Sequence, residues 1–212
     1  VIRAQDADVV GLVEANDRDA VEALARRLGM EVAYAEANNP FSVACLSRLP
    51  IRAVANHRLP VLEKTLLEVE LDGLLLFVTH LRAGRTEAAG DVRTKEAAAI
   101  LHTIAGRECA IVGDFNAVHP HDEIGTPPPE ERLEFVARRP IELFIEAGFV
   151  DCYRRSHPGE RGWTYLTWHP WARLDYVLVS AEIAAGFAEC DVVTSADARR
   201  ASDHFPLVVT RT

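Results

Sequence analysis

The sequence predicts an α/β chain in which strands outnumber helices, folded as a mixed sheet sandwich with helices outside. Three observations predict it. Short apolar runs of strand length recur between residues 9 and 210. Two longer segments, 17–29 and 86–105, carry apolar residues at helical spacing instead. The strand-like runs alternate with these segments and with polar loops, so their partners lie far apart along the chain, as in layered α/β folds. With 212 residues, of which 49% are hydrophobic, the chain has material for one domain with a substantial core, and one domain over 1–212 is the expectation.

Residues 9–13, Val-Val-Gly-Leu-Val, read as a strand buried on both faces. Asp17 then caps a helix with Val21, Leu24, Ala25 and Leu28 on one face, and Gly29 stops it. Strands follow at 31–35, 42–47 and 51–56. Leu67, Val69 and Leu71 alternate, Asp72-Gly73 turns the chain, and 74–79 returns as the second arm of a hairpin. The alanine-rich 86–105 segment is a helix with Ala97, Ile100, Leu101 and Ile104 on one side, and 109–112 is a strand. Pro120 and Pro127-Pro128-Pro129 mark 119–131 as loop. Residues 140–147 read as a short helix ended by Gly148, and strands close the chain at 174–180, 191–194 and 205–210.

The formal net charge of −9 argues against a generic nucleic-acid binder held by a basic surface. An acidic cleft loaded with a metal still accepts a phosphodiester. The basic residues are arginine apart from Lys64 and Lys95. The four cysteines, Cys45, Cys109, Cys152 and Cys190, are far apart with no C-x-x-C pair, so free buried thiols are expected and a zinc cluster is not. No apolar run reaches the length of a membrane span. Val1 opens in what reads as the middle of an element, so the lack of a visible signal peptide carries no weight.

Carboxylates stand at strand ends. Glu14 closes the first apolar run, Asp114 closes 109–112, and Asp203 precedes the last strand. A hard cation such as Mg²⁺ takes one or two carboxylates, waters and the substrate phosphate, so three such acids fit one. His204 follows Asp203, and Asp175 lies in Arg-Leu-Asp-Tyr at the edge of another strand. A carboxylate on one ring nitrogen fixes the tautomer and leaves the other nitrogen for water or a phosphoryl oxygen. Asn116, two residues past Asp114, shares a face with it if the strand continues, and its amide suits a phosphoryl oxygen or the attacking water. His80 ends a strand in Thr-His-Leu and suits a non-bridging oxygen. Whether Asp114 or His204 takes the proton is open at this level.

These words occur in a fixed order: Gly-Leu-Val-Glu14, Ser47-Arg-Leu-Pro-Ile, Thr-His80-Leu, Gly-Asp114-Phe-Asn116, Gly148-Phe-Val-Asp, Arg-Leu-Asp175-Tyr and Ser-Asp203-His204. The set resembles the endonuclease/exonuclease/phosphatase superfamily, also called deoxyribonuclease-I-like, from about residue 8 to the C-terminus. The resemblance implies a four-layer αββα sandwich with two central mixed sheets. It implies phosphoester hydrolysis with Mg²⁺ or Mn²⁺, of the phosphodiesterase or nuclease type. By position it makes Glu14 the main metal ligand and Asp203 a second acid on the metal side. Asp114 and Asn116 position nucleophile and phosphate, His204 with Asp175 is the catalytic histidine, and His80 contacts the phosphate. The family opens with a strand that ends in an asparagine. Val1 begins after the place for it, so the first strand is expected to be missing, leaving neighbouring backbone groups unpaired. Asn16 lies past the strand end and does not stand in for that asparagine.

Arg82 and Arg85, just past His80, are candidates for substrate phosphate; Trp171, in a cluster with Trp163 and Trp168, is a candidate for stacking on a base or sugar or for touching lipid, with core or loop packing as the plainer reading. Residues His119, His121, Asp122 and Glu123 read as a polar loop on the substrate side, with a transition-metal site as the alternative. Arg93 and Lys95 read as solvated. The implied partner is a phosphate-containing substrate: nucleic acid, sugar phosphate or lipid head group. Two other readings stand beside the phosphodiesterase: a non-catalytic or crippled binding module on the same scaffold, and a hydrolase of phosphomonoesters or phospholipid head groups.

Overall fold

The computed structural model describes residues 1–131 and 135–212. A single helical turn, α1 (Ile2–Gln5), leads into β1 (Val9–Leu12). Helix α2 (Arg18–Leu28) follows, with Ala20 N–H donating to Asp17 Oδ1 at 3.0 Å and Gly29 at φ +68° ending it, as the sequence requires. Strands β2 (Glu31–Ala35), β3 (Val43–Ser47), β4 (Ile51–His57), β5 (Leu66–Leu71) and β6 (Leu74–His80) come next, then α3 (Glu87–Ile104) and β7 (Ala110–Asp114). The remainder is α4 (Arg139–Glu146), β8 (Phe149–Asp151), α5 (Cys152–Ser156), β9 (Asp175–Ser180), a 3₁₀ turn (Ala184–Gly186), β10 (Phe187–Val192), α6 (Ala196–Ala201) and β11 (Leu207–Arg211).

Six strands form one mixed sheet in the order β4-β5-β6-β7-β9-β8. Its single parallel pair is β6–β7, with α3 as the crossover that parallel neighbours need. The second layer is antiparallel and comes as β1-β3-β2 and β10-β11. Period-two alternation sends residues of the large sheet to two cores. Leu67, Val69, Val78, Ala110, Val177 and Val179 pack on Ala33, Ala35, Val43 and Cys45 of the second layer and on Phe187 and Cys190. Leu66, Phe77, Ile111, Tyr176 and Leu178 face the other way, onto Ala97, Ile100 and Ile104 of α3 and Ile141 and Phe144 of α4. On the far side of the three-stranded sheet, Ala44 and Leu46 pack on Val21 and Ala25 of α2. The layers therefore run helix, sheet, sheet, helix.

Two expectations need correction. The 9–13 run is not buried on both faces: β1 is the edge of its sheet, Val9, Val10 and Leu12 are half-buried, and Gly11 is exposed. A Cβ at Gly11 would meet Val112 Cγ2 at 2.7 Å, so the glycine serves close approach to the large sheet. The strand placed at 191–194 starts earlier, at Phe187, because a register shift between Phe187 and Cys190 breaks its alternation. Among the described residues β1 and β11 pair on one side only, each at the edge of its sheet. All four cysteines are free and buried, as composition predicts.

Candidate active site

The register of the large sheet lines up three of the chemical side chains. His80 ends β6 opposite Asp114, the last residue of β7, and Asp114 is opposite Asp175, the first residue of β9. Each lies two residues from a valine of the inter-sheet core (Val78, Val112, Val177), so all three belong to the face that meets the second layer. That layer supplies the rest. Glu14 follows β1, and Asp203 and His204 precede β11. One cleft of about 200 Å³ is lined by Glu14, His80, Asp114, Asn116, Asp203 and His204.

Backbone strain concentrates here. Among the described residues the non-glycine residues at positive φ are Asp6 (49°), Glu14 (53°) and Asn116 (47°), so two of three line the cleft. Such conformations persist where surrounding contacts over-determine them. Gly113, at φ +144°, has no room for a side chain: a Cβ would overlap the carbonyl oxygen of Thr79 on β6. That close approach brings His80 and Asp114 together.

Asp114 is the hub. Its Oδ1 accepts from the backbone N–H of Asn116 at 2.7 Å and its Oδ2 from Asn116 Nδ2 at 3.0 Å. His80 Nε2 is 3.4 Å and His204 Nε2 3.9 Å from the same Oδ2. Burial would raise the Asp114 pKa, but His80, His204 and the Asn116 N–H outweigh it and hold the carboxyl down at about 2. The Asp114–Asn116 contact is made, though not by an extended strand sharing one face: the left-handed turn at Asn116 folds its amide back over the carboxylate. That amide also donates to Leu81 O at 3.2 Å.

His204 Nδ1 lies 2.8 Å from Asp175 Oδ2, the pairing read from the sequence. Burial disfavours the charged ring, but Asp175, with Asp114 and Asp203 behind it, pushes its pKa up to about 10. Asp114, Asp175 and His204 offer ligand atoms within 4.8 Å of one another. Glu14 and Asp203 stand outside that trio as exposed carboxylates on the cleft wall, with no ion-pair partner among the described residues. Carboxylate oxygens converging on one cleft suit a hard divalent cation.

Of the three substrate candidates, Arg85 and Trp171 line the cleft and Arg82 does not. Arg82 is exposed and paired with Glu63 at 2.5 Å, and its backbone N–H is held by Glu96. Arg93, read as solvated, is 1% exposed and lines the cleft. The 119–123 loop is likewise not a solvated substrate face throughout: Asp122 is buried between Arg154 (2.6 Å) and Arg173 (2.8 Å), and His119 is buried beside it. The sequence reading missed Tyr165, whose ring sits 4.7 Å from that of His204 and whose hydroxyl bridges Arg85 (2.8 Å) and Glu131 (2.9 Å).

The family model for the Endonuclease/Exonuclease/phosphatase family matches residues 1–204. The chain belongs to that family and is a hydrolytic enzyme of phosphoesters. Solved structures share its fold at low identity. An AP endonuclease from Archaeoglobus fulgidus is 21% identical at TM-score 0.83, over 99% of this chain and 91% of that one. The 3′ phosphatase NExo from Neisseria, bound to a product DNA hairpin, is 19% identical at TM-score 0.81, over 100% and 91%. A 3′-5′ exonuclease, NExo from Neisseria meningitidis, is 20% identical at TM-score 0.78, over 96% and 89%. No curated protein matches the sequence. Among the described residues no helix is long and apolar enough to cross a membrane.

Proposed function

We propose that this enzyme is a divalent-metal-dependent phosphodiesterase acting on a nucleic-acid or other small phosphodiester. The observation that carries the reading is the convergence of His80, Asp114 and Asp175 from one sheet with Glu14, Asp203 and His204 from the other, around one cleft. Glu14 and Asp203, without an ion-pair partner among the described residues and open to the cleft, would hold Mg²⁺ or Mn²⁺, which when bound would polarise a phosphoryl oxygen and lower the pKa of water. Asp114 accepts the proton of the attacking water, with Asn116 and His80 holding the phosphate beside it. His204, oriented through Nδ1 by Asp175, presents Nε2 to a phosphoryl oxygen as charge builds there. Arg85, Tyr165 and Trp171 form the wall against the organic part of the substrate. One structural neighbour, the NExo 3′ phosphatase, is described bound to a product DNA hairpin, which favours a nucleic-acid diester. The net charge of −9 favours a short or single-stranded one over a long duplex.

The test is hydrolysis of bis(4-nitrophenyl) phosphate with Mg²⁺, with Mn²⁺ and with EDTA, beside Asp114→Asn. Metal-dependent turnover that Asp114→Asn lowers at least about 100-fold is expected. Turnover that survives EDTA, or is unchanged in the variant, would overturn the reading.

A further inference from the structure

The cleft extends past the catalytic cluster. Its lining also includes Arg85, Arg93, Phe135, Val136, Trp171 and Leu174. Two buried donors in this lining have no partner among the described residues: the indole N–H of Trp171 and Nε of Arg93. Arg93 also stands apart electrostatically. Arg82, Arg85, Arg154 and Arg173 each pair with a carboxylate. Arg93 is 1% exposed, and no carboxylate among the described residues pairs with it. Its Nη1 donates to Arg82 O (2.9 Å) and Gly84 O (2.7 Å), which fixes the head, while the acids that act on its charge, Glu96 and Asp114, do so without a direct ion pair. A buried cation with no carboxylate in direct contact is stabilised further when an anion docks against it.

We propose that the part of the cleft around Arg93 and Trp171 is a pocket for a second anionic group of the substrate, separate from the scissile phosphate. Arg93 supplies the charge, the Trp171 N–H a further donor, and Phe135, Val136 and Leu174 an apolar wall against the ring or chain that joins the two anionic groups. The substrate class is then a phosphodiester carrying a neighbouring phosphate or carboxylate. The inference rests on reading the cleft as the phosphate site, and it adds what selects among phosphodiesters. It also gives a role to a residue that neither the metal cluster nor the proton path uses.

The probes are benzylphosphonate, with one anionic head, and 3- and 4-(phosphonomethyl)benzoate, which add a carboxylate across the ring. Binding is measured by calorimetry in excess Mg²⁺, without turnover. Wild-type protein is expected to bind one benzoate isomer at least about 10-fold more tightly than benzylphosphonate, the range of a charge-assisted contact. Arg93→Gln brings that preference to within about 2-fold and leaves benzylphosphonate affinity unchanged. Arg93→Lys, which keeps a cation, retains part of it. Trp171→Phe removes one donor and keeps the ring, and is expected to lower the preference about 3-fold; it decides the matter if melting shows that Arg93→Gln does not fold. No preference in wild type, or a preference that survives Arg93→Gln and Trp171→Phe, would overturn the pocket. A preference without hydrolysis of any diester overturns the catalytic reading and leaves the pocket standing, so the two failures are separable.

Discussion

Arg173 lies outside the candidate active site but anchors an ion network next to it. It lies two residues before Asp175 and is fully buried. Its Nε bonds Asp122 Oδ2 at 2.8 Å and its Nη2 bonds Asp151 Oδ2 at 2.6 Å, both carboxylates being buried too. Its guanidinium also lies 4.4 Å from the centre of the Tyr176 ring. Arg173→Met keeps most of the volume and removes the charge. Asp151 then loses its cation partner and Asp122 keeps only Arg154, at 2.6 Å, among the described residues. Stranding a buried carboxylate in this way costs about 3–5 kcal/mol. For a chain of this size that lowers Tm by roughly 6–20 °C, at roughly 2–4 °C per kcal/mol. The assay is thermal and urea unfolding of wild type, Arg173→Met, Asp151→Asn and the double variant. The double variant is expected to be more stable than the sum of the two losses, because the neutral amide no longer needs a counter-ion. A loss below about 1 kcal/mol, or strict additivity, would refute the argument that this ion network holds the start of β9 and therefore Asp175.

Further outcomes follow from individual contacts. Gly113→Ala is expected to lower stability by at least about 3 kcal/mol, read from a urea melt, since its Cβ would overlap Thr79 O. Glu68 is held down at about 2 by Arg107, against burial, with His57 adding to the effect. Its folded pKa lies below its unfolded one, so the stabilisation is present above the ordinary carboxylate range and fades as pH falls toward about 2. Glu68→Gln should thus be less stable by about 1 kcal/mol at pH 7, a gap that closes between about pH 5 and pH 2. His204 has the opposite sign: its raised pKa stabilises the fold fully below the ordinary histidine range, and the effect is lost as pH rises through about 10. In Asp175→Asn without metal, the His204 midpoint followed by NMR should fall by more than about one unit. An unmoved midpoint would mean that Asp175 is not the partner that sets it.

Strand ends carrying acids were legible because each follows or precedes an apolar run that fixes where the layer stops. The side-chain row His80–Asp114–Asp175 follows from that alone once β6, β7 and β9 are neighbours. Helical spacing also held a signal that was read the wrong way. Arg93 lies four residues before Ala97 and seven before Ile100, both in the core, so its position on α3 is inward despite its charge. Tyr165 gave no such signal. It sits between strands, in an irregular segment that bridges to Ala172 and His204 by isolated pairs, and only tertiary structure brings it over the histidine ring. The half-buried state of β1 escaped for a related reason: an apolar run looks alike in the centre and at the edge of a sheet.

The cleft draws on residues from Glu14 to His204, nearly the whole sequence, brought together from five separate stretches at Glu14, His80, Asp114–Asn116, Asp175 and Asp203–His204. A nascent chain that has passed Asn116 but not reached Asp175 holds Glu14, His80, Asp114 and Asn116 without Asp175, Asp203 or His204. The cleft is therefore complete only once β9 and the segment before β11 have been made and docked, and a product stopped between them carries an unfinished one.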